Sequence, residues 1–377
     1  MHILMTALQP GGGIRTFFRY IYSQPCFEDC TFDLFAPDDG LTQFLSQYIP
    51  VGRLSVHPAP QRHLSFVREA RHLIRAGGYD LVHSHGFSAG ALTEMARGMQ
   101  SLPHLMTAHD VFLSSQFAGF QGGLKHWLMA RLFGRMTGIH TVTEDAGENL
   151  LSFFPSLDRG RVHGILHGVD TEYFRQGIPR NIKEEIGLAP ETPLIGFFGR
   201  FMGQKGFRLI IEAVEQIIKN SSLSPAPHVV TFGWGGFIRE DYAYLTDKGL
   251  GEYFHQMDQT NDMSASLKGV DVIAMPSRWE ACGLLAMEAL AAGVPIVGSD
   301  CIGLREVLSG SPAKAVPVGD VSKLASSLEE ELSDRKVRRQ AFKDFQPIAC
   351  DRFGIDRPAQ SLHELYQALN PAAEGAI

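Results

Sequence analysis

The sequence predicts an α/β protein with two doubly wound parallel-sheet domains. Three observations carry that reading. Short β-branched or Leu-rich runs alternate with amphipathic helical stretches, the pattern of strand–helix–strand units. The alternation is laid down twice, once in each half of the 377 residues. A turn-rich joint, "HGVDTEYFRQGIPRN", separates the two sets,. Each half is long enough to enclose its own core.

In the first half, strands are expected at His2–Ala7, Thr31–Ala36, Leu54–His57, Asp80–His85, His104–Ala108 and Gly138–Val142. Each is a short apolar run closed by turn residues. Helices fit between them at Ile14–Ser23, His63–Ala76 and Ala89–Met99. In the second half, strands are expected at Leu194–Phe198, Val229–Phe232, Glu252–His255, Asp271–Met275 and Pro295–Gly298. Helices are expected at Phe207–Asn220, Ala281–Ala292 and Asp320–Ser333. The stretch Ile355–Ala368 has helical spacing at Ala359, Leu362, Leu365 and Leu369, suited to packing back on the first domain,. The expected domains are 1–167 and 168–352, with a terminal helical segment at 353–377.

Composition narrows the function. A hydrophobic share of 44% and a charged share of 20% are those of a globular protein,. No run of about 18 apolar residues would cross a membrane. The start, "MHILMTALQPGGG", reads as a strand entering a glycine loop and not as a signal peptide,. Five cysteines with no second close pair argue for reduced thiols in the cytoplasm and against a zinc site,. Residues 1–167 hold 13 basic and 13 acidic side chains, and the net charge of −7 falls on the rest. Nucleic acid is therefore not an expected partner.

Three stretches could carry chemistry. "QPGGGIRTFFRY" follows a strand and opens a helix, where free backbone N–H groups favour an anion,. Gly11, Gly12 and Gly13 are consecutive, so the dinucleotide spacing is absent and a tight turn serves equally well,. "GFFGRFMGQKGF" places Arg200 and Lys205 beyond a parallel strand, where open α/β sheets bind ligands,. Alone, it could be an exposed loop. "SRWEACGLLAMEALAAG" sets Glu288 in an apolar helix and Glu280 at its mouth. Ionised carboxylates only accept hydrogen bonds, which suits sugar hydroxyls. A buried arginine partner or solvent could equally account for Glu288.

Together these motifs resemble the retaining glycosyltransferases of family 4, which have the GT-B fold. Glu280-x7-Glu288 matches the family's paired glutamates, and Gly199-Arg200-FMGQ-Lys205-Gly206 matches its Gly-Arg and Lys-Gly signature. Gly12-Gly13, "YDLVHSHG", "TAHD" with His109, and "HGVD" follow in the family's order, so the resemblance spans residues 1 to about 370. There are departures. Cys282 stands where the family has an aromatic, His167 replaces an asparagine, and the later Gly-Gly reads Ile302-Gly303.

The resemblance implies two Rossmann-like domains facing across a cleft, with a C-terminal helix crossing back to the first. It implies transfer of a hexose-type sugar from a UDP- or GDP-sugar to a glycan or lipid-linked glycan, in cell-surface polysaccharide or lipopolysaccharide synthesis. Arg200 and Lys205 would bind the diphosphate, so neither metal nor cofactor is expected. Glu288 would accept from the ribose, Glu280 from the transferred sugar, and His109 would touch the sugar. Backbone N–H groups at Gly283, Leu284 and Leu285, and at Gly12 and Gly13, would meet phosphate oxygens. His83 and His85 read as a strand-end pair lining the cleft.

Two basic, partly apolar helical stretches suggest peripheral contact with the anionic inner face of a membrane. One is His63–Ala76, with Arg68, Arg71 and Arg75 opposite Leu64, Val67 and Ile74. The other is Gly123–Met136, with Lys125, Arg131 and Arg135 around Trp127, Leu128 and Phe133. Solvated helix faces would explain both equally. The competing functions are a non-catalytic nucleotide-sugar or glycan-binding regulator and a GT-B sugar-nucleotide epimerase.

Overall fold

The computed structural model describes residues 1–220 and 223–370. The chain divides into two compact units, Met1–Gly168 with Ile355–Ile377, and Val169–Gly354. The last seven residues of the expected 353–377 segment lie outside the described residues.

The first unit is a seven-stranded parallel sheet: β1 (His2–Ala7), β2 (Thr31–Ala36), β3 (Leu54–Pro58), β4 (Leu81–His85), β5 (His104–Ala108), β6 (Gly138–Thr141) and β7 (Val162–Gly164). Their order is β3-β2-β1-β4-β5-β6-β7. Side chains alternate across a strand, and β1 shows the result. Ile3, Met5 and Ala7 join a core with Phe17, Phe18 and Tyr22 of the helix Gly13–Tyr22. Leu4 enters a second core with Phe66, Ala70 and Ile74 of the helix His63–Ala76. Both faces are covered, as a parallel sheet requires. Each fully buried Leu, Ile or Phe contributes about 1.5–3 kcal/mol. The terminal helix Asp356–Leu369 belongs to this unit and adds Ala359, Leu362 and Tyr366 to the first core.

The second unit has six parallel strands: β8 (Leu194–Phe198), β9 (His228–Phe232), β10 (Phe254–Met257), β11 (Val272–Met275), β12 (Ile296–Ser299) and β13 (Lys314–Val316). Their order is β10-β9-β8-β11-β12-β13. Its core gathers Ile195, Phe197, Phe207, Ile211, Val229 and Val272. The strand expected at Glu252–His255 begins two residues later, because Gly251–Tyr253 forms a 3-10 turn first. β7 and β13, three residues each, were not expected. Nor was the helix Arg335–Phe353, which Asp334 caps by accepting from the Val337 N–H.

In each sheet the strand order reverses once, between β1 and β4 and between β8 and β11. Ligands of open α/β sheets bind beyond the carboxyl ends of the strands at such points.

Candidate functional site

In the second unit, β8 and β11 lie side by side, with Ile195 opposite Val272. The loops leaving them are stitched together. Gln204 Nε2 donates to the Trp279 carbonyl at 2.8 Å, and the Arg278 N–H donates to the Gln204 carbonyl at 2.8 Å. Gly206, at φ 70°, makes the close approach possible: a Cβ there would lie 2.3 Å from the Pro276 carbonyl oxygen. On the other side, a Cβ on Gly303 would lie 2.6 Å from the Glu280 carbonyl oxygen. Neither position has room for a side chain.

This packing brings Lys205 and Glu280 together although 75 residues separate them. Lys205 Nζ donates to Glu280 Oε1 at 2.6 Å, and the Ser277 hydroxyl donates to the same oxygen at 2.6 Å. Glu280 is buried at 7% exposure, so the pair is shielded. Arg200 sits on the same strand-end loop, exposed, and no ion pair or hydrogen bond holds its guanidinium among the described residues. One cation is thus tied to the carboxylate and the other is open to solvent.

Gly283 lies in the left-handed region at φ 55°, ψ 46°, and the helix starts only after it, at Leu284–Ala291. The expected start at Ala281 is corrected for that reason, since a left-handed residue cannot continue an α-helix. The N–H groups at the start of the helix have no partner within it. Glu288 is partly buried, one turn in. No donor among the described residues reaches its carboxyl, and burial alone pushes it up to about 8. No arginine among the described residues pairs with it, so of the two alternatives only partial solvent contact survives. Cys282 is buried. Burial, with help from the Glu280 charge, pushes the Cys301 thiol up to about 12, which keeps it protonated.

In the first unit, Gly12 at φ 55°, ψ −126° caps the helix Gly13–Tyr22. Nothing stands within 4 Å of where Cβ atoms would project at Gly11, Gly12 and Gly13, so the loop borders open space. His109 follows β5, partly buried, with Nε2 3.0 Å from His85 Nδ1 and its ring edge-on to Phe17 at 5.0 Å. Burial holds its imidazole well below the ordinary value. His83 and His85 are 0% and 1% exposed. They therefore do not line a surface. They are hydrogen-bonded inside the unit, to Tyr22, Tyr366 and Thr107. His167 is buried too, and its imidazole is pushed down to about 4 by burial, with the Gly168 backbone pulling weakly the other way.

The two helical surfaces are only partly as expected. Leu64 is 86% exposed, and the buried face of its helix is Phe66, Ala70 and Ile74. Arg71 and Arg135 are tied to backbone carbonyls, of Met95 and Ala96 and of Gly98. Phe133 is buried. What remains on the helix Gly119–Phe133 is an exposed set, Phe120, Leu124, Trp127 and Leu128, beside Lys125 and Arg131. No helix among the described residues is long and apolar enough to cross a membrane.

The structure thus joins Lys205 to Glu280, with Arg200 and Glu288 on adjoining segments of one sheet end. Gly12, Gly13 and His109 belong to the first unit. Reading the sequence missed Ser277 and Gln204, which fix the Lys205–Glu280 pair, and the tyrosine partners of the histidines. Ser277 stands three residues before Glu280, and that proximity was its available signal.

Comparison with known proteins bears on the family and the fold. The chain is 28% identical over 275 residues to a D-inositol 3-phosphate glycosyltransferase of Mycobacterium marinum, covering 69% of this chain and 57% of that one. It is 26% identical over 344 residues to the UDP-Gal:alpha-D-GlcNAc-diphosphoundecaprenol alpha-1,3-galactosyltransferase of Escherichia coli, covering 86% of each. The crystal structure of Anabaena HepE in complex with UDP and glucose superposes with a TM-score of 0.83 at 19% identity, over 98% of this chain and all of the other. The family described as Glycosyltransferase Family 4 matches residues 11–173, and that described as Glycosyl transferases group 1 matches residues 192–334. With the two parallel sheets of the GT-B fold, these matches across both halves make the chain a member of the family 4 glycosyltransferases.

Proposed function

We propose that the chain is a retaining, metal-independent hexosyltransferase that takes a UDP- or GDP-sugar and extends a glycan or lipid-linked glycan in cell-surface polysaccharide or lipopolysaccharide synthesis. The observation that carries the reading is the stitched loop pair, with Lys205 against Glu280 and a carboxyl at Glu288 that no protein group among the described residues satisfies. A buried polar group without a partner is costly. Ribose hydroxyls would supply the partner for Glu288. A diphosphate would draw Lys205 away from Glu280, leaving that carboxylate to the sugar hydroxyls. Arg200, exposed and unpaired among the described residues, would close on the same diphosphate.

In the reaction so read, the bond between the sugar's anomeric carbon and the diphosphate breaks as Arg200 and Lys205 take up the developing negative charge. The acceptor oxygen bonds to that carbon on the same face, and its proton passes to the departing phosphate oxygen. The N–H groups of Gly283, Leu284 and Leu285, and of Gly12 and Gly13, hold phosphate oxygens. His109 contacts the sugar. A UDP-sugar is favoured because HepE was crystallised with UDP and glucose and the Escherichia coli relative is named for UDP-Gal. The diphosphoundecaprenol in the latter name favours a lipid-linked acceptor. The exposed Trp127 and Leu128 with Arg131 give the membrane-contact reading its surface on the cytoplasmic side.

The test is release of nucleoside diphosphate from a panel of UDP-, GDP- and ADP-sugars, with and without EDTA. One donor is expected to turn over at an EDTA-independent rate, and Lys205→Ala to lower it about 100-fold or more. Unchanged turnover in Lys205→Ala sinks the site assignment. Product stereochemistry by NMR decides retention, and sedimentation with anionic vesicles at low salt decides membrane contact.

A further inference from the structure

The first unit buries a chain of ring nitrogens and hydroxyls whose proton directions follow from one end. The Ile165 carbonyl lies 3.3 Å from His140 Nε2. A carbonyl only accepts, so that nitrogen carries the hydrogen. Burial pushes His140 down to about 4, so the ring is neutral near pH 7 and its Nδ1 offers a lone pair. The Thr107 hydroxyl, 2.9 Å away, must donate to it. Having one proton to give, Thr107 accepts from His83 Nε2 at 2.6 Å. His83 is also held neutral by burial, so its Nδ1 accepts in turn. The closest donor to that nitrogen is the Tyr366 hydroxyl.

The next step turns on whether Tyr22 accepts from His85 or donates to it; with its proton on Tyr366, or on His83 Nδ1 at 3.0 Å, it accepts. The Tyr22 hydroxyl lies 3.1 Å from the Tyr366 oxygen and 3.1 Å from His85 Nε2. If Tyr22 gives its proton to Tyr366, its own oxygen accepts from His85 Nε2–H, and both of these contacts are used. If it gives the proton to His85, two hydroxyl oxygens face each other with none between them. The first solution keeps one more buried hydrogen bond, and a buried hydroxyl left without one is disfavoured. His85 Nδ1 is then an acceptor, and His109 Nε2–H donates to it across 3.0 Å.

We infer that this ordered chain fixes His109 as the Nε2–H tautomer and leaves its Nδ1 as an acceptor for a hydroxyl of the bound sugar. Tyr22 and His85 are thereby positioning residues for His109. The sugar contact rests on the proposed function, whereas the proton order rests on the first unit alone. No protein group among the described residues occupies His109 Nδ1.

The order also separates two similar substitutions. Without the Tyr366 hydroxyl, Tyr22 can turn its proton to His83 Nδ1 at 3.0 Å and still accept from His85. Tyr366→Phe should therefore leave His109 unchanged. Tyr22→Phe cuts the link between His83 and His85, so His109 should become a mixture of tautomers. Both remove one buried hydroxyl, and a merely structural role would not sort them this way.

The experiment is NMR of 15N-histidine-labelled protein, with the His109 signals identified by their loss in His109→Asn. The wild type and Tyr366→Phe should show a protonated Nε2 and an unprotonated Nδ1 at His109. Tyr22→Phe should show exchange-averaged values, together with a fall in transfer kcat/KM of about fivefold. A protonated Nδ1 in the wild type overturns the inference. So does an unaltered His109 in Tyr22→Phe. If Tyr22→Phe does not fold, the wild-type tautomer and its persistence in Tyr366→Phe still decide. The expected tautomers in a protein that transfers no sugar would uphold the proton order and overturn the proposed function instead.

Discussion

The two sheets end in polar clusters of opposite kind. The cluster around Glu94 in the first unit is closed. Glu94 is fully buried, yet its carboxylate meets His104 Nδ1 at 2.8 Å, Arg97 at 2.6 Å and Arg135 at 3.2 Å. His104 passes the network on to Ser84, and Ser84 to Thr6. The cluster of the second unit described above is open, with Glu288 lacking a protein partner and Arg200 unpaired among the described residues. A closed cluster spends its hydrogen bonds on the fold. An open one keeps them for a ligand. Substitution should therefore act on stability at Glu94 and on ligand binding at Glu288 and Arg200.

The largest stability effect is expected at Glu94. Burial raises its carboxyl, but hydrogen bonds from His104 and Arg97 outweigh that and hold it below its ordinary value. Glu94→Ala leaves Arg97 and His104 facing an empty, buried space. Removing one member of a buried ion pair typically costs about 3–5 kcal/mol. A urea unfolding midpoint that barely moves would break the comparison, because the cluster would then not hold the fold together.

Glu288 should behave in the opposite sense. Its carboxyl is raised from 4.5 to about 8, so the folded state holds a proton that the unfolded chain has lost over that interval. Stability is therefore fullest below pH 4.5 and falls as pH rises toward 8. The whole shift would correspond to about 5 kcal/mol at about 1.4 kcal/mol per pH unit. Because the side chain is only partly buried, about 2 kcal/mol is the expected loss. Glu288→Gln should lack this component and be more stable than the wild type at pH 8, while binding donor more weakly. Parallel slopes of stability against pH for the two proteins would remove the claim that Glu288 is unsatisfied.

The closed and open clusters were unequally legible in the sequence. β1, β2, β5 and β8 lie where their apolar runs predict, since each is a buried run cut off by turn residues. β7 and β13 are too short to show a period. The helix Arg335–Phe353 buries only Phe342, Ala349 and Phe353, so its apolar face is nearly silent. At the site, charged residues beyond strand ends were readable because each loop follows its own strand. Their pairing was not, because the register of β8 on β11 decides it. The histidines suggested a surface pair, since nothing local announces Tyr366, which meets His83 across 283 residues of chain.

The smallest stability effect is expected at Arg200, and it tests the comparison from the other side. The side chain is exposed, and nothing among the described residues holds it. Surface substitutions of that kind stay within about 0.5 kcal/mol, so Arg200→Ala should unfold at nearly the wild-type urea concentration. Its effect should instead fall on the donor. A charge-assisted contact to a diphosphate contributes about 1.5–3 kcal/mol, which predicts a loss of about tenfold or more in kcat/KM. Arg200→Lys should recover only part, because an ammonium lacks the paired geometry that a guanidinium offers to phosphate. Full activity in Arg200→Ala would confine the open cluster to Lys205, Glu280 and Glu288. A large drop in stability would mean that Arg200 belongs to the closed kind after all.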